Sequence, residues 1–588
     1  MLLCDLLQYI KAESALTTLD FDTITQFIDL CRLLRTPIGY IQPHYIETPP
    51  AQLPVNIQEF LQVALDIPDD TIKLAWDAFK QLVWDGEVVV PEQKVAYLPT
   101  FLRFGLSHNI SCKTRYYHDY YVHLNATRRT YYGSSQTYLQ IATHYYVARD
   151  LVDLFISMMA NAWTSATNCA RIYNESLIAS SFDALPPTWE YRLRMNVEDV
   201  WNAFFLHSLL TDFDERSHVL ELPHDAASQA TRLDEAIRLR NASISGTGQD
   251  HWNHACNLCC WIHADADGTP LHLRSVVIDG VTLGHPCCSV HNCMIPLAST
   301  QDHFCPTHRD HARICVVTNC DKPARLGAQT CTELAHSALE EYYNQQGKAM
   351  FQLKLRLERA RARNESGPPS ESPATVSEAD VMSDVTSDML ACGGKPDAGN
   401  RQLKARFGRR WTHNDELCTA SCGIILGCTT FYGSEAPNGV RHFLMRTFPT
   451  KRALPGVIWH DNNCQIVRML RNDVDPYLAS YFDNCALLVD VFHFKSKHKE
   501  QDVDCGNNCN PYIWPELRTD DGKWRFNSSA AEQANAWYGG FQAIVREMHA
   551  DRYNFFLDEM IKYRNKFTFR KLQTDGHAPF NIPRKCLL

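Results

Sequence analysis

The sequence predicts a multidomain α+β protein with an N-terminal helical region, a zinc-stabilised cysteine-cluster domain and a C-terminal α/β domain. Three observations predict it. Apolar residues recur at three- and four-residue spacing through the first 95 residues. Ten of the 23 cysteines fall between Cys256 and His336. Beyond Trp411, short apolar runs alternate with helical patterns, as in a sheet covered on its faces.

At 588 residues, with 45% hydrophobic and 11% aromatic content, the chain can build several packed cores. No apolar run approaches ~18 residues, which excludes a membrane-spanning helix. The first residues carry acids and no basic stretch, which argues against a secretory signal and for reducing, intracellular surroundings. A net charge of −10 does not announce a nucleic-acid binder, although a local basic surface can hide in that average.

Residues 1–95 read as helices over 6–19, 24–35, 57–67 and 72–84, separated by the proline-rich break near Pro49 and Pro50. They read as a packing or partner-binding region. Residues 96–250 form a mixed domain that opens with a tyrosine-rich stretch. Its alternation predicts one or two hairpins, followed by helices near 151–177 and 197–213. Lys113, Arg128 and Arg129 among these tyrosines could stack on bases. A half-buried sheet fits better, since tyrosine is a strand former. Cys112 and Cys169 are too few for a zinc site.

Residues 251–340 hold five ligand pairs: Cys256 and Cys259, Cys288 and Cys293, Cys305 and His308, Cys315 and Cys320, Cys331 and His336. Two such pairs close one tetrahedral site, so the set predicts structural Zn²⁺ rather than chemistry. Disulfides and buried free thiols are the alternatives. Sequential pairing would join Cys288, Cys293, Cys305 and His308, and separately Cys315, Cys320, Cys331 and His336. An interleaved cross-brace stays open, and would suit a RING-like adaptor. Cys256 and Cys259 would need help from His263, His285, Cys287 or His291.

Residues 341–404 combine a basic helix, with Lys348, Lys354, Arg356, Arg359, Arg361 and Arg363 against Glu358, and an acidic Pro/Ser-rich linker over 364–400. The helix end could touch phosphates, act as a nuclear address, or simply be solvated.

Residues 405–588 read as the α/β domain. Strands are expected over 422–432, 456–461 and 485–493. Helices are expected over 440–448, 464–470, 476–482 and 528–565. Asp461 and Asp490 stand at or near strand ends and Glu532 one turn into a helix, where carboxylates could converge on Mg²⁺. Each could equally be an ordinary strand-end or cap acid. Between them, His493, His498, Cys505 and Cys509 could hold a further zinc or form a polar loop.

The runs HNDELCTASCGIILGCTTFYGSEAPNGV, WHDNNCQ, VDVFHFKSKHKEQDVDCGNNCNP and WRFNSSAAEQANAWYGGFQAIVREMHADRYNFFLDEMI resemble Kyakuja-Dileera-Zisupton (KDZ) transposases over 405–567. NHACNLCC through TCTELAH resembles their associated cysteine clusters. SCKTRYYHDYYVHLNATRRTYY through AWTSATNCARIY resembles the companion cluster, here short of cysteines. The resemblance implies an RNase H-like C-terminal fold and a catalytic set that includes Asp461 and Glu532, which Asp490 could complete by a different geometry. It also implies a cysteine/histidine insert made of His493, His498, Cys505 and Cys509. The strand over 422–432 lacks an acid, so Asp415 or its neighbour Glu416 is expected to complete the site. The implied function is Mg²⁺-dependent DNA cleavage and strand transfer in the nucleus, on DNA as partner, with chromatin proteins or an oligomer as further associations and no membrane. The alternative is a catalytically inactive or domesticated zinc-dependent DNA- or chromatin-binding protein.

Overall fold

The computed structural model describes residues 16, 19, 21–35, 49–85, 107–109, 114–123, 126–133, 136–142, 145–178, 193–264, 267, 270–346, 384–386, 404–497 and 503–588. The basic residues after Lys348 lie outside them, as does the 364–400 linker apart from the short strand Asp384–Thr386, which pairs with Lys404–Arg406. The chain forms two compact units, Met1–Arg240 and Asn241–Leu588.

In the first unit, helices Phe21–Leu33, Val55–Leu65 and Asp69–Asp85 bury Phe27, Phe60, Trp76 and Phe79 in one core. A five-stranded antiparallel sheet follows, in the order Ser107–Asn109, Thr114–Tyr116, Tyr120–His123, Arg128–Tyr131 and Glu221–Pro223. Its tyrosines serve packing. Tyr120 and Tyr131 are buried, and the buried Arg129 guanidinium covers the Tyr120 ring at 4.0 Å. Tyr132, Arg115 and Arg128 remain exposed, so part of the pattern packs inward and part faces solvent. Lys113 lies outside the described residues.

The second unit is built on one sheet. Its strands are β1 (Cys260–Ala264), β2 (Pro270–Val281), β3 (Asn414–Ala420), β4 (Ile425–Phe431), β5 (Val457–Trp459) and β6 (Ala486–Leu488). The lateral order is β4-β3-β2-β5-β6, with β1 pairing the first half of β2. β3 and β4 run antiparallel to their neighbours, whereas β2, β5 and β6 are parallel. Helix α1 (Pro437–Thr447) follows β4, and α2 (Asn463–Arg471) follows β5. The expected helix over 528–565 is broken into α3 (Ala530–Tyr538) and α4 (Ala550–Thr574), with a 3-10 turn Gly539–Phe541 and a short helical turn Gln542–Val545 between them. Gly539 and Gly540, poor in helix propensity, stand where α3 ends.

The sheet corrects one expectation. The acid-free strand over 422–432 is the edge strand β4, not the strand at the site. The central strand is β2, which comes from the middle of the cysteine-rich stretch. Its run Val276-Val277-Ile278 is buried on both faces. Val276 and Ile278 pack with residues of α1 and α2, and Val277 packs with Ala530 and Ala531 of α3. A strand covered on both sides reads as a continuous apolar run.

Candidate active site and metal centres

Three acids stand just past the paired stretch of three parallel strands, Asp279 still within β2 and the other two beyond the ends of β5 and β6. Val277 of β2 is opposite Trp459 of β5, and Trp459 is opposite Leu488 of β6. Two residues further along each chain stand Asp279, Asp461 and Asp490. Strands lie about 4.8 Å apart, so this register sets three carboxyl groups in a row. Val277, Trp459 and Leu488 share the face that packs on α3. Residues two apart on a strand share a face, which directs the acids toward that helix.

Helix α3 meets them with two side chains one turn apart. Asn535 Nδ2 donates to Asp279 Oδ2 at 2.8 Å. Glu532 Oε1 lies 3.7 Å from His493 Nδ1. The same imidazole nitrogen is 2.9 Å from Asp461 Oδ1 and bonded to Asp490 Oδ2. Asp490 also caps the helix Val491–Lys497, accepting from Phe492 N at 2.9 Å and His493 N at 3.3 Å. That cap places His493 over the acids.

Burial pushes the Asp461 carboxyl up to about 7, and Asp490 adds to the shift. Burial also raises Asp279, and Glu532 works in the same direction. Crowded carboxylates in a partly dry site are stabilised by a divalent cation, and hard oxygen donors suit Mg²⁺. Ligand atoms of Asp461, Asp490 and His493 lie within 4.8 Å of one another, so the residues present fit such an ion.

Asp415 does not join them. It is fully buried on β3 and accepts hydrogen bonds from Tyr538 of α3, at 3.3 Å, and from Tyr553 of α4. Burial raises it to about 6 against the pull of those hydroxyls. Glu416, next along β3, points the other way, into a second group. Its Oε1 is 3.9 Å from His460 Nδ1, and Glu435 Oε1 is 3.9 Å from His460 Nε2. Asn414 Nδ2 donates to both glutamates, at 3.3 and 3.1 Å. Burial, then Glu435 and Asp279, holds Glu416 well above the usual carboxylate range.

Sequence reasoning missed Asp279, although a signal was present. VVIDG closes an apolar run with an acid, just as VIWHD and LLVD do. The cysteine pairs on either side drew attention away from it.

The long connection from β2 to β3 carries two metal-type clusters. Cys288, Cys293, Cys305 and His308 form one, and Cys315, Cys320, Cys331 and His336 the other. In the first, Cys293 and Cys305 sulfurs are 3.8 Å apart, and His308 Nδ1 is 3.5 and 3.3 Å from the sulfurs of Cys288 and Cys305. In the second, Cys320 and Cys331 sulfurs are 3.9 Å apart, and His336 Nδ1 is 3.5 and 3.3 Å from those of Cys315 and Cys331. A tetrahedral zinc with ligands at about 2.0–2.3 Å separates sulfur pairs by about 3.8 Å and sulfur–nitrogen pairs by about 3.5 Å. A disulfide needs about 2.05 Å. The donor sets fit zinc. Each is assembled from consecutive pairs, so the interleaved arrangement, and with it the support for a RING-like adaptor, is absent from these two clusters.

Cys256 and Cys259 sit apart from both clusters, ahead of β1. His254 and Cys422 accompany them, rather than His263, His285, Cys287 or His291. Cys505 and Cys509 are buried with Cys464, Val489 and Phe494. His493 turns away from that cluster to the acids, and His498 lies outside the described residues.

Among the described residues, no helix is long and apolar enough to cross a membrane. Residues 105–177 match the CxC5-like cysteine cluster associated with KDZ transposases, and residues 277–342 match the CxC6-like cysteine cluster associated with KDZ transposases. The second match contains both Cys₃His clusters. Comparison with curated proteins and with solved structures gives no match.

Proposed function

We propose that this chain, with its two cysteine clusters of the kind associated with KDZ transposases, is a nuclear transposase-like protein that cuts and joins DNA. In this reading residues 270–567 make an RNase H-like core, with the zinc clusters inserted between its first and second strands. The observation that carries it is the register of Asp279, Asp461 and Asp490 at the ends of three parallel strands, with Glu532 brought to the same point by α3.

Asp461 and Asp490 would hold Mg²⁺, with Asp279 and Glu532 as further carboxylates beside them. Bound there, the ions would neutralise phosphate charge and favour attack on a phosphodiester by water or a 3′-hydroxyl. The chain's own residues set this up. Asn535 fixes the Asp279 carboxylate by donating to Oδ2. Asp490 anchors His493, whose Nδ1 lies within reach of both Asp461 and Glu532. Asp490 is thus a ligand that also positions His493, and Asp415 is neither.

A groove of about 1470 Å³ begins at Thr282 and Leu283, three residues past Asp279. Lys404, Arg406, Arg409, Arg410 and Arg546 line it, together with Trp411 and the acids Asp302 and Asp321, and Arg409 is paired with Glu547 at 2.8 Å. Its basic side chains outnumber those two acids, and with Trp411 they suit a nucleic-acid backbone.

The test is cleavage of DNA by the purified full chain with and without Mg²⁺. Asp279→Asn, Asp461→Asn and Glu532→Gln should each lose activity by on the order of 100-fold or more. Parent and variants should bind DNA alike. Equal cleavage by parent and variants would remove these acids from the reaction. DNA binding by a parent that never cleaves would establish the zinc-dependent binding protein instead.

A further inference from the structure

We propose that His254, Cys256, Cys259 and Cys422 form a third closed zinc site, one that staples the sheet itself rather than the insert. The site joins residues that are distant in sequence and lies outside both matched cysteine clusters. One ligand atom from each of the four residues lies within 4.8 Å of all the others. Cys256 and Cys259 sulfurs are 3.6 Å apart, and Cys422 Sγ is 3.2 Å from His254 Nε2. The donor set, three sulfurs and an imidazole, repeats the composition of the two insert clusters.

The backbone holds the four in place. Cys259 N and Cys260 N both donate to Cys256 O, at 3.1 and 2.9 Å, which folds CNLCC into a knuckle. Cys422 sits in the tight turn between β3 and β4, where Gly423 adopts φ +95° and its N–H donates to Ala420 O at 2.8 Å. Ser275 of β2 ties the two turns together. Its N–H donates to Cys259 O at 2.9 Å, and its carbonyl accepts from Ser421 N at 3.2 Å. His254 is paired with Asn581, so the strand Phe580–Asn581 near the C-terminus is secured through the same ligand.

Neither alternative explains this set. The 3.6 Å sulfur separation is too long for a disulfide, which needs about 2.05 Å. Free core thiols would have no reason to collect an imidazole from one side and a turn cysteine from the other. Four protein ligands leave no open coordination position, so the site is structural. Uptake of Zn²⁺ would release the three thiol protons to solvent as the thiolates form.

The test is zinc content of the purified full chain by mass spectrometry. Cys422→Ser should bind one equivalent less than the parent, and so should Cys256→Ser. The double variant should lose no more than either alone. An unchanged zinc count in folded Cys422→Ser would overturn the proposal, as would separate losses that add. Should the serine variants not fold, His254→Cys in cadmium-113-substituted protein gives an independent reading. Replacement of the imidazole by a fourth thiolate should move one resonance from the three-sulfur to the four-sulfur range, and a spectrum with no resonance moved would also overturn it. None of these readouts depends on DNA cleavage.

Discussion

Asp279 and Asp415 show how little the identity of an acid says about its role. Both lie on paired neighbouring strands and both are raised by burial. Asp279 faces Asn535 and the acid row, whereas Asp415 faces two tyrosine hydroxyls. Asp415→Asn should therefore keep DNA cleavage within about threefold of the parent, while Asp279→Asn should lower it by on the order of 100-fold, since only the latter would remove a carboxylate from the proposed site. The same residue predicts a pH effect. An acid raised in the folded state binds its proton more tightly there than in the unfolded chain. Its contribution is fully present below its ordinary value and is lost as pH rises through about 6. Denaturant titrations should show the parent losing stability relative to Asp415→Asn between about pH 4 and 6, with a constant difference above that range.

At the scale of elements, β2 is the strand on which the site depends, and its end leaves no spare room. A Cβ on Gly280 would stand 2.4 Å from Asn414 Nδ2 and 2.8 Å from Glu416 Oε2. Both side chains are buried, so neither can swing aside into water. Gly280→Ala should cost about 1–3 kcal/mol in thermal or denaturant unfolding. It should also lower cleavage, because the displaced backbone belongs to Asp279's neighbour. A full-stability Gly280→Ala protein would show that this packing is looser than the distances imply. Helix α3 works in the same way. Its Ala530 and Ala531 are small enough to seat it against Val277 and Trp459, which brings Glu532 and Asn535 to the strand ends. Ala531→Leu should push the helix off the sheet and lose cleavage with Glu532 still present, measurable as a fall in activity at retained helical content.

The second unit as a whole is a sheet interrupted by metal-type clusters. The chain leaves β2 and passes through both Cys₃His groups before returning at β3. Structural zinc sites contribute folding energy outright, so their removal acts on the segment they organise. Treatment with a strong chelator should open residues 286–346 to proteases, with cleavage mapped by mass spectrometry. Zinc restored before digestion should protect the same bonds. Protection that persists after complete zinc loss would mean that apolar packing around Leu297 and Leu339 suffices alone.

Much of this protein was legible in its sequence where the signal is local. Ligand pairs two to four residues apart gave both Cys₃His groups, because a tight turn is enough to bring such pairs to one ion. Strand-end and helix-start positions singled out Asp461, Asp490 and Glu532 for the same reason of short-range pattern. What no local pattern could decide was which strand lies at the centre. β2 pairs with β3 across more than a hundred residues, and that choice brought Asp279 into the acid row and turned Asp415 toward its tyrosines. It also carried Cys422 to Cys256 and sent His493 to the acids instead of to Cys505 and Cys509. Sheet pairing is settled by burial and register over the whole fold, and those exist only once the chain has closed on itself.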